Sequence, residues 1–112
     1  MSSLNDVKTA LTGISDNVYH YEALNAEAPY IVWAEDNEYN SYSADNRKDG
    51  QTIEGTIDLY TKAENDPLMK AIPRALRNAG IVWEYSSTQY EEDTELIHVE
   101  WVFRVLESWQ RE

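Results

Sequence analysis

The stretch Gln51–Pro67 constrains the fold most, because its pattern describes a strand that leads directly into a helix. In its first half, apolar residues and one glycine alternate with mostly polar residues. The apolar set, with the glycine, is Ile53, Gly55, Ile57 and Leu59. A period of two is what a strand half-buried against a core requires. Asp66 can cap a following helix, and Pro67 can occupy its first position, where the missing N–H costs nothing. The sequence therefore predicts a central strand followed at once by a helix.

Three further segments have the character of strands. Residues 30–35 are rich in aromatic and β-branched types, residues 81–90 are similar, and residues 94–106 carry the longest alternation. Residues 36–50 form a polar, turn-rich connection, and a connection of this length is often functional or contains a short strand. We expect a flexible loop here, with Ser41–Ala44 as a candidate edge strand. Residues 18–29 show no firm period and are assigned no element.

Two segments have the spacing of amphipathic helices. Residues 4–17 carry apolar side chains every three or four positions, and Asn5 or Asp6 can serve near the start of this helix. The second helix is predicted over about 67–79. Pro73 lies inside it, and an interior proline costs about 3 kcal/mol. The sequence therefore predicts either a bent helix or a short turn with a new helix beginning at Pro73.

These elements occur in the order α-β-β-α-β-β. We predict one α+β domain over residues 1–112, in which two helices pack on one face of a mainly antiparallel four-stranded sheet. Residues 107–112 are expected to form a C-terminal tail.

The composition argues against several classes of function. A net charge of −12 disfavours binding to phosphate backbones, and the absence of cysteine removes disulfides and thiolate chemistry. We find no secretory signal and no apolar stretch long enough to span a bilayer. The acidity is typical of a soluble surface, and it also suits a surface that lets DNA pass without holding it.

No catalytic, cofactor or metal site is predicted. The string Asp45–Gly50 resembles a calcium loop, but Arg47 occupies a ligand position, so an Asp-Gly turn explains it better. His20 and His98 have no companion at metal-ligand spacing. Paired carboxylates can perform acid–base chemistry, but a solvated sheet face is the better interpretation of the group Glu54, Asp58, Glu84 and Glu100.

Exposed aromatic residues indicate a protein interface. Tyrosines on a polar loop combine contact area with a low ordering entropy, although they can instead fold back onto the domain. We expect an oligomer or partner interface that includes Tyr39, Tyr42, Asp45, Arg47 and Trp109.

Three segments carry a family resemblance: PYIVWAE, YSADNRKDGQTIEGTIDLYTKAENDP and LRNAGIVWEYSSTQYEEDTELIHVEWVFRV. They resemble the small tail completion or tail terminator proteins (also called tail-to-head joining or minor capsid proteins) of long-tailed bacteriophages and prophages. The resemblance covers roughly residues 3–106.

The resemblance implies a non-enzymatic virion protein with a tail-terminator-like fold, assembled in the bacterial cytoplasm and located in the tail or neck. Such proteins form a ring, commonly of six subunits, which stops polymerisation of the tail tube. The implied partners are other copies of the chain, the major tail tube protein and the head connector, while DNA passes through the lumen without specific binding and no membrane is involved.

Three other functions stay open at the level of sequence. The chain is compatible with a head-side connector or head-closure protein, with a small interaction module outside phage, and, least well, with an enzyme that uses dispersed carboxylates. Neighbouring genes would separate the first two from tail completion.

Overall fold

A computed structural model describes residues 3–39 and 51–107 of the chain. The two helices and five strands follow one another as α1 Leu4–Thr12, β1 Val18–His20, β2 Tyr30–Tyr39, β3 Gln51–Thr61, α2 Leu68–Asn78, β4 Val82–Glu91 and β5 Leu96–Glu107. The strands form a single sheet in the order β1-β2-β3-β5-β4.

The predicted sheet of four strands in the order α-β-β-α-β-β is wrong, although the α+β class is right. The described sheet has five strands and is mixed, because β1 pairs in parallel with β2 while the remaining neighbours are antiparallel. The missed strand has only three residues, and a segment this short cannot display a period of two. Backbone hydrogen bonds at its ends, such as Tyr21 N–H to the Trp33 carbonyl at 2.9 Å, extend the pairing.

β2 is longer than the predicted strand 30–35, since it continues to Tyr39. A bulge between Glu35 and Asn37 shifts its register against β3, and the alternation that marks a strand is lost at this point. The connection to β3 is therefore shorter than the predicted loop 36–50. The candidate edge strand Ser41–Ala44 lies outside the described residues.

The core lies between the helices and one face of the sheet. Alternate residues of β3 and β5 face the helices, and the opposed residues at the centre of the two strands are buried, for example Ile57 beside Trp101 and Leu59 beside Val99. The helices contribute four fully buried side chains, which are Val7, Leu11, Ile72 and Leu76. The strongest period-two pattern in the sequence thus forms the centre of the core.

The helix ends follow the predicted chemistry in part. α1 ends at Thr12, earlier than predicted, and the Asp6 carboxylate accepts a hydrogen bond from the Ser3 N–H at 2.9 Å. α2 runs without interruption through Pro73, so no second helix begins there. The Asp66 carboxylate accepts a hydrogen bond from the Leu68 N–H at 2.8 Å, which is the capping contact expected from the sequence.

Candidate assembly surface

The face of the sheet opposite the helices is called the open face, since both helices of the described chain pack on the other side. Its side chains come from the alternate positions of the central strands, among them Tyr30, Val32, Glu54, Thr56, Asp58, Tyr60, His98, Glu100, Val102 and Arg104. All of them are partly exposed rather than buried. The open face is therefore a mixed aromatic and charged surface that a partner can reach.

An aromatic ladder crosses the open face. Tyr30 stacks on Tyr60 with ring centroids 4.8 Å apart, and Tyr60 stacks on His98 at 4.4 Å. Tyr19 of β1 meets Tyr30 edge to face at 6.3 Å. The ladder exists because the strand register places Tyr60 opposite both Tyr30 and His98, and such cross-strand pairs stabilise a sheet.

His98 ends the ladder between two carboxylates. Its Nε2 lies 2.7 Å from Asp58 Oδ1, and its Nδ1 lies 3.2 Å from Glu91 Oε2. Only the imidazolium form can donate to both carboxylates at once, because neutral imidazole carries a single N–H. Together with the ladder, Glu91 links all five strands across this face.

The carboxylates singled out from the sequence all lie on the open face, where they form ion pairs or hydrogen bonds with polar side chains. Arg104 donates to Glu54 through Nε at 3.1 Å and Nη2 at 3.0 Å, and its Nη2 lies 3.6 Å from Glu84. Ser86 donates to Glu100 at 3.4 Å. In residues 3–39 and 51–107, no group of three or more His, Asp or Glu side chains is placed to hold a metal ion.

Burial and negative charge alter the titration of this face. Burial raises the pKa of Tyr60 to about 12, and Asp58 and Glu91 add to the effect. Burial, followed by the charge of Glu91, also raises the pKa of Tyr30. The phenols of Tyr30 and Tyr60 therefore stay protonated at neutral pH and remain available as hydrogen-bond donors.

Asp36, at the bulge in β2, has a pKa raised first by burial and then by the charges of Asp58, Glu54 and Glu35. A raised pKa means that the folded state binds the proton more tightly than the unfolded state does, so stability falls as the pH rises through that range. We expect Asp36→Asn to stabilise the protein at neutral pH by about 0.5 kcal/mol. The gain should vanish below about pH 3, where aspartate is protonated in both states.

Urea denaturation at both pH values tests this prediction. Asp16→Asn is the matched control, since Asp16 is an exposed aspartate that follows α1. The same gain in both variants, or a gain for Asp36→Asn that persists at acidic pH, would contradict it.

A second aromatic cluster lies on the helix side of the sheet, at its β1 edge. His20 stacks on Trp33 at 3.9 Å and on Tyr21 at 4.3 Å, while its Nε2 lies 2.8 Å from Glu35 Oε1. Burial acts to raise the pKa of Glu35, but hydrogen bonds from His20 and Tyr21 outweigh it and lower the pKa. Sequence reasoning missed this cluster because residues 18–29 showed no period.

The described structure does not test the predicted interface, because it includes one of the five predicted residues. Tyr39 is the last residue of β2, where its backbone pairs with Thr52 of β3. The other four residues of the predicted interface lie outside the described ranges, namely Tyr42, Asp45, Arg47 and Trp109. The interface therefore stays a prediction.

The strand β4 forms the edge of the sheet and carries exposed hydrophobic residues that the sequence did not single out. Val82 is 61% exposed, Tyr85 57% and Tyr90 62%. An unpaired edge with exposed aromatic residues favours association with another chain. β4 is an edge strand because, among the described strands, only β5 pairs with it.

Neither helix of the described chain has the length and apolar character needed to cross a lipid bilayer. Comparison with known proteins gives similarities of two kinds, to a family model and to solved structures. A family model described as "Tail completion protein gp17" matches residues 2–108. A chain of a solved structure described as "Virion of native gene transfer agent (GTA) particle" has a similar fold, with a TM-score of 0.56 and 18% sequence identity over 89% of this chain and 90% of that chain. Comparison with curated proteins finds no match.

Proposed function

This chain belongs to the tail completion protein gp17 family, and from that premise we propose that it closes the tail tube as a ring and joins the tube to the head connector. The chain is a structural component of the virion tail. Family membership over nearly the whole length carries the proposal. The role is one of assembly rather than catalysis, and the ring position at the junction of head and tail is the specific part of the proposal.

The charge of the chain supports a position around a DNA passage. The net charge is −12, and the open face gathers carboxylates of which Arg104 pairs with only some. A wall of this sign repels the phosphate backbone, so DNA passes without adhering. We propose that the open face, or the rim beside it, faces the lumen of the ring.

A closed ring needs two different surfaces on each subunit that fit one another. We propose a ring of six copies, in which the connection after Tyr39 reaches a neighbouring subunit, the tube protein or the head connector. We propose that these contacts are made by Tyr39, Tyr42, Asp45, Arg47 and Trp109. The virion origin of the protein with the similar fold supports an assembly role for this fold.

Deletion of the gene from a phage that carries it tests the proposal. We expect heads filled with DNA, together with unattached tails whose tubes vary in length, because nothing stops polymerisation or completes the joining end. Re-expression of the chain should restore joined particles with tails of one length. Electron microscopy of lysates gives the measurement.

Joined tails of normal length from the deletion strain would overturn the proposal. Unjoined tails of normal, uniform length would instead place the chain in the joining step alone and remove the proposed role in stopping the tube.

A further inference from the structure

The helix α2 carries a basic stripe, defined as Lys70, Arg74 and Arg77. These residues follow one another at intervals of four and three, so they share one face of the helix, and all three are exposed. None of them forms an ion pair with another residue in the described ranges. α2 contains no acidic residue. A patch of unpaired cations is notable in a chain with a net charge of −12.

The basic stripe borders a concave surface. A groove of about 550 Å³ lies between α1 and α2, and Arg74 is part of its lining. Asp6 also lines the groove, but its carboxylate accepts a hydrogen bond from the Ser3 N–H. The apolar part of the lining comprises Ala10, Ile14, Ala71, Ala75 and Ala79. A neighbouring depression of about 260 Å³ lies beside Met69 and Pro73 and includes the whole stripe. The combination calls for an occupant that is acidic and also presents a hydrophobic side chain.

The turn between β4 and β5 has this complementary character. Glu92, Asp93 and Glu95 are exposed and make no ion pair with a described residue. Tyr90, two residues before Glu92, is 62% exposed. This set is called the acidic turn, and it offers several negative charges and one large aromatic side chain at the end of a hairpin.

We propose that the acidic turn of one copy docks into the groove between α1 and α2 of the next copy, with its carboxylates on the basic stripe. The contact joins two different surfaces, the acidic turn of one copy and the groove of the next. Each pair of copies therefore leaves one groove and one acidic turn free for further copies. The chain of copies closes into a ring if the rotation between neighbouring copies allows it. This inference rests on the proposed function, because it identifies the surfaces that build the ring.

DNA is the other acidic partner that the stripe could meet. The overall charge of the chain opposes its approach, since the long-range potential of a strongly acidic protein repels phosphates. The apolar floor of the groove adds nothing to phosphate binding but suits a tyrosine ring. The observations therefore favour a second copy of the chain.

Disulfide trapping tests the contact without altering its charges, because the chain contains no cysteine. Asn78→Cys places a thiol in the groove, and Thr94→Cys places one in the acidic turn; both positions are exposed. An equal mixture of the two variants is oxidised at high concentration. We expect the mixed dimer to exceed that from a control mixture of Asn65→Cys and Thr94→Cys by on the order of tenfold. Asn65 is an exposed asparagine in the turn before α2.

Charge reversal supplies the second measurement. Arg74→Glu in the Asn78→Cys chain should abolish the excess of mixed dimer, and Asp93→Arg in the partner chain should restore it. A chain that carries both cysteines should give a series of cross-linked oligomers of increasing size. A mixed dimer no more abundant than the control overturns the inference, as does an excess that Arg74→Glu leaves unchanged.

Two further results separate the alternatives. Binding of a short DNA duplex at low salt that Arg74→Glu abolishes, without selective cross-linking, would assign the stripe to phosphates and overturn the inference. Restoration of joined tails of one length in the deletion strain by the Arg74→Glu variant would overturn the inference while leaving the proposed function intact. Normal joined tails without any copy of the chain would overturn the proposed function itself.

Discussion

Alanine in place of Gly55 is expected to destabilise the protein by about 3 kcal/mol, since overpacking a core usually costs about 1–3 kcal/mol and backbone contacts raise the cost. A Cβ at this position would overlap the Ala34 carbonyl oxygen, and it would lie 2.6 Å from Phe103 Cζ and 2.8 Å from the Glu35 Cα. Two of these three obstacles are backbone atoms of the adjacent strand β2. The chain cannot relieve the overlap by turning a side chain, so the sheet must open or shift.

The position of Gly55 in the sheet explains why there is no room for a Cβ atom. It is buried in the middle of β3, where it pairs with Glu35 on one side and Phe103 on the other. The ring of Phe103 lies over the glycine and is itself fully buried. Glycine weakens most strands, but here it allows a large aromatic residue and the bulged strand to approach closely.

Gly13→Ala is the matched control for this prediction. Gly13 ends α1 with right-handed helical dihedral angles, and an added Cβ would meet its nearest neighbours at 3.4 Å and 3.5 Å, which is ordinary contact. We therefore expect a gain of about 0.5 kcal/mol from the lower entropy of the unfolded chain. Thermal and urea unfolding of both variants give the comparison. Equal effects of the two substitutions, or a loss below about 1 kcal/mol for Gly55→Ala, would contradict the packing account.

Gly55 also shows which features of the structure a sequence pattern can predict. Gly55 occupies an apolar position in the alternation of β3, so its inward direction follows from the period of two. Its contact with Phe103 does not follow, since the register between β3 and β5 joins residues far apart in the chain. The core was predictable because long alternation specifies which side chains face inward, whereas the partner of each side chain depends on register.

The aromatic ladder could not be predicted from the sequence for the same reason. Tyr60 and His98 each belong to a predicted strand, and their stacking required the pairing of those strands to be known. Tyr19 lay in a segment without any period, because β1 has three residues and gains its place only by pairing with β2. Bulges add a further difficulty: the one between Tyr85 and Ser87 shifts the register of β4 against β5.

The second large effect is expected at Asp66, whose carboxylate anchors the start of α2 to the end of β3. Its Oδ1 accepts a hydrogen bond from the Leu68 N–H at 2.8 Å, and its Oδ2 accepts one from the Thr61 hydroxyl at 2.6 Å. Asp66 and Thr61 are both buried. We expect Asp66→Ala to destabilise the protein by about 2–3 kcal/mol, since it removes a helix cap and leaves a buried hydroxyl with one partner fewer.

Two companion variants separate the parts of this effect. Asp66→Asn keeps an oxygen that can accept from the Leu68 N–H but loses the charge, so a cost of about 1 kcal/mol is expected. Asp6→Ala removes a similar carboxylate at the start of α1, where its bond to the Ser3 N–H is only partly buried. There we expect a loss of about 0.5–1 kcal/mol.

A double-mutant cycle with Thr61→Val measures the bond between the two buried side chains. Thr61 also accepts a hydrogen bond from the Ala63 N–H at 3.1 Å, so Thr61→Val alone is expected to be destabilising. With Asp66→Ala, the combined loss should fall short of the sum by about 1 kcal/mol, because each single change already breaks the shared bond. Strict additivity in urea unfolding would show that Asp66 acts through the helix cap alone. An Asp66→Ala cost no larger than that of Asp6→Ala would refute the anchoring role, because burial is what distinguishes the two carboxylates.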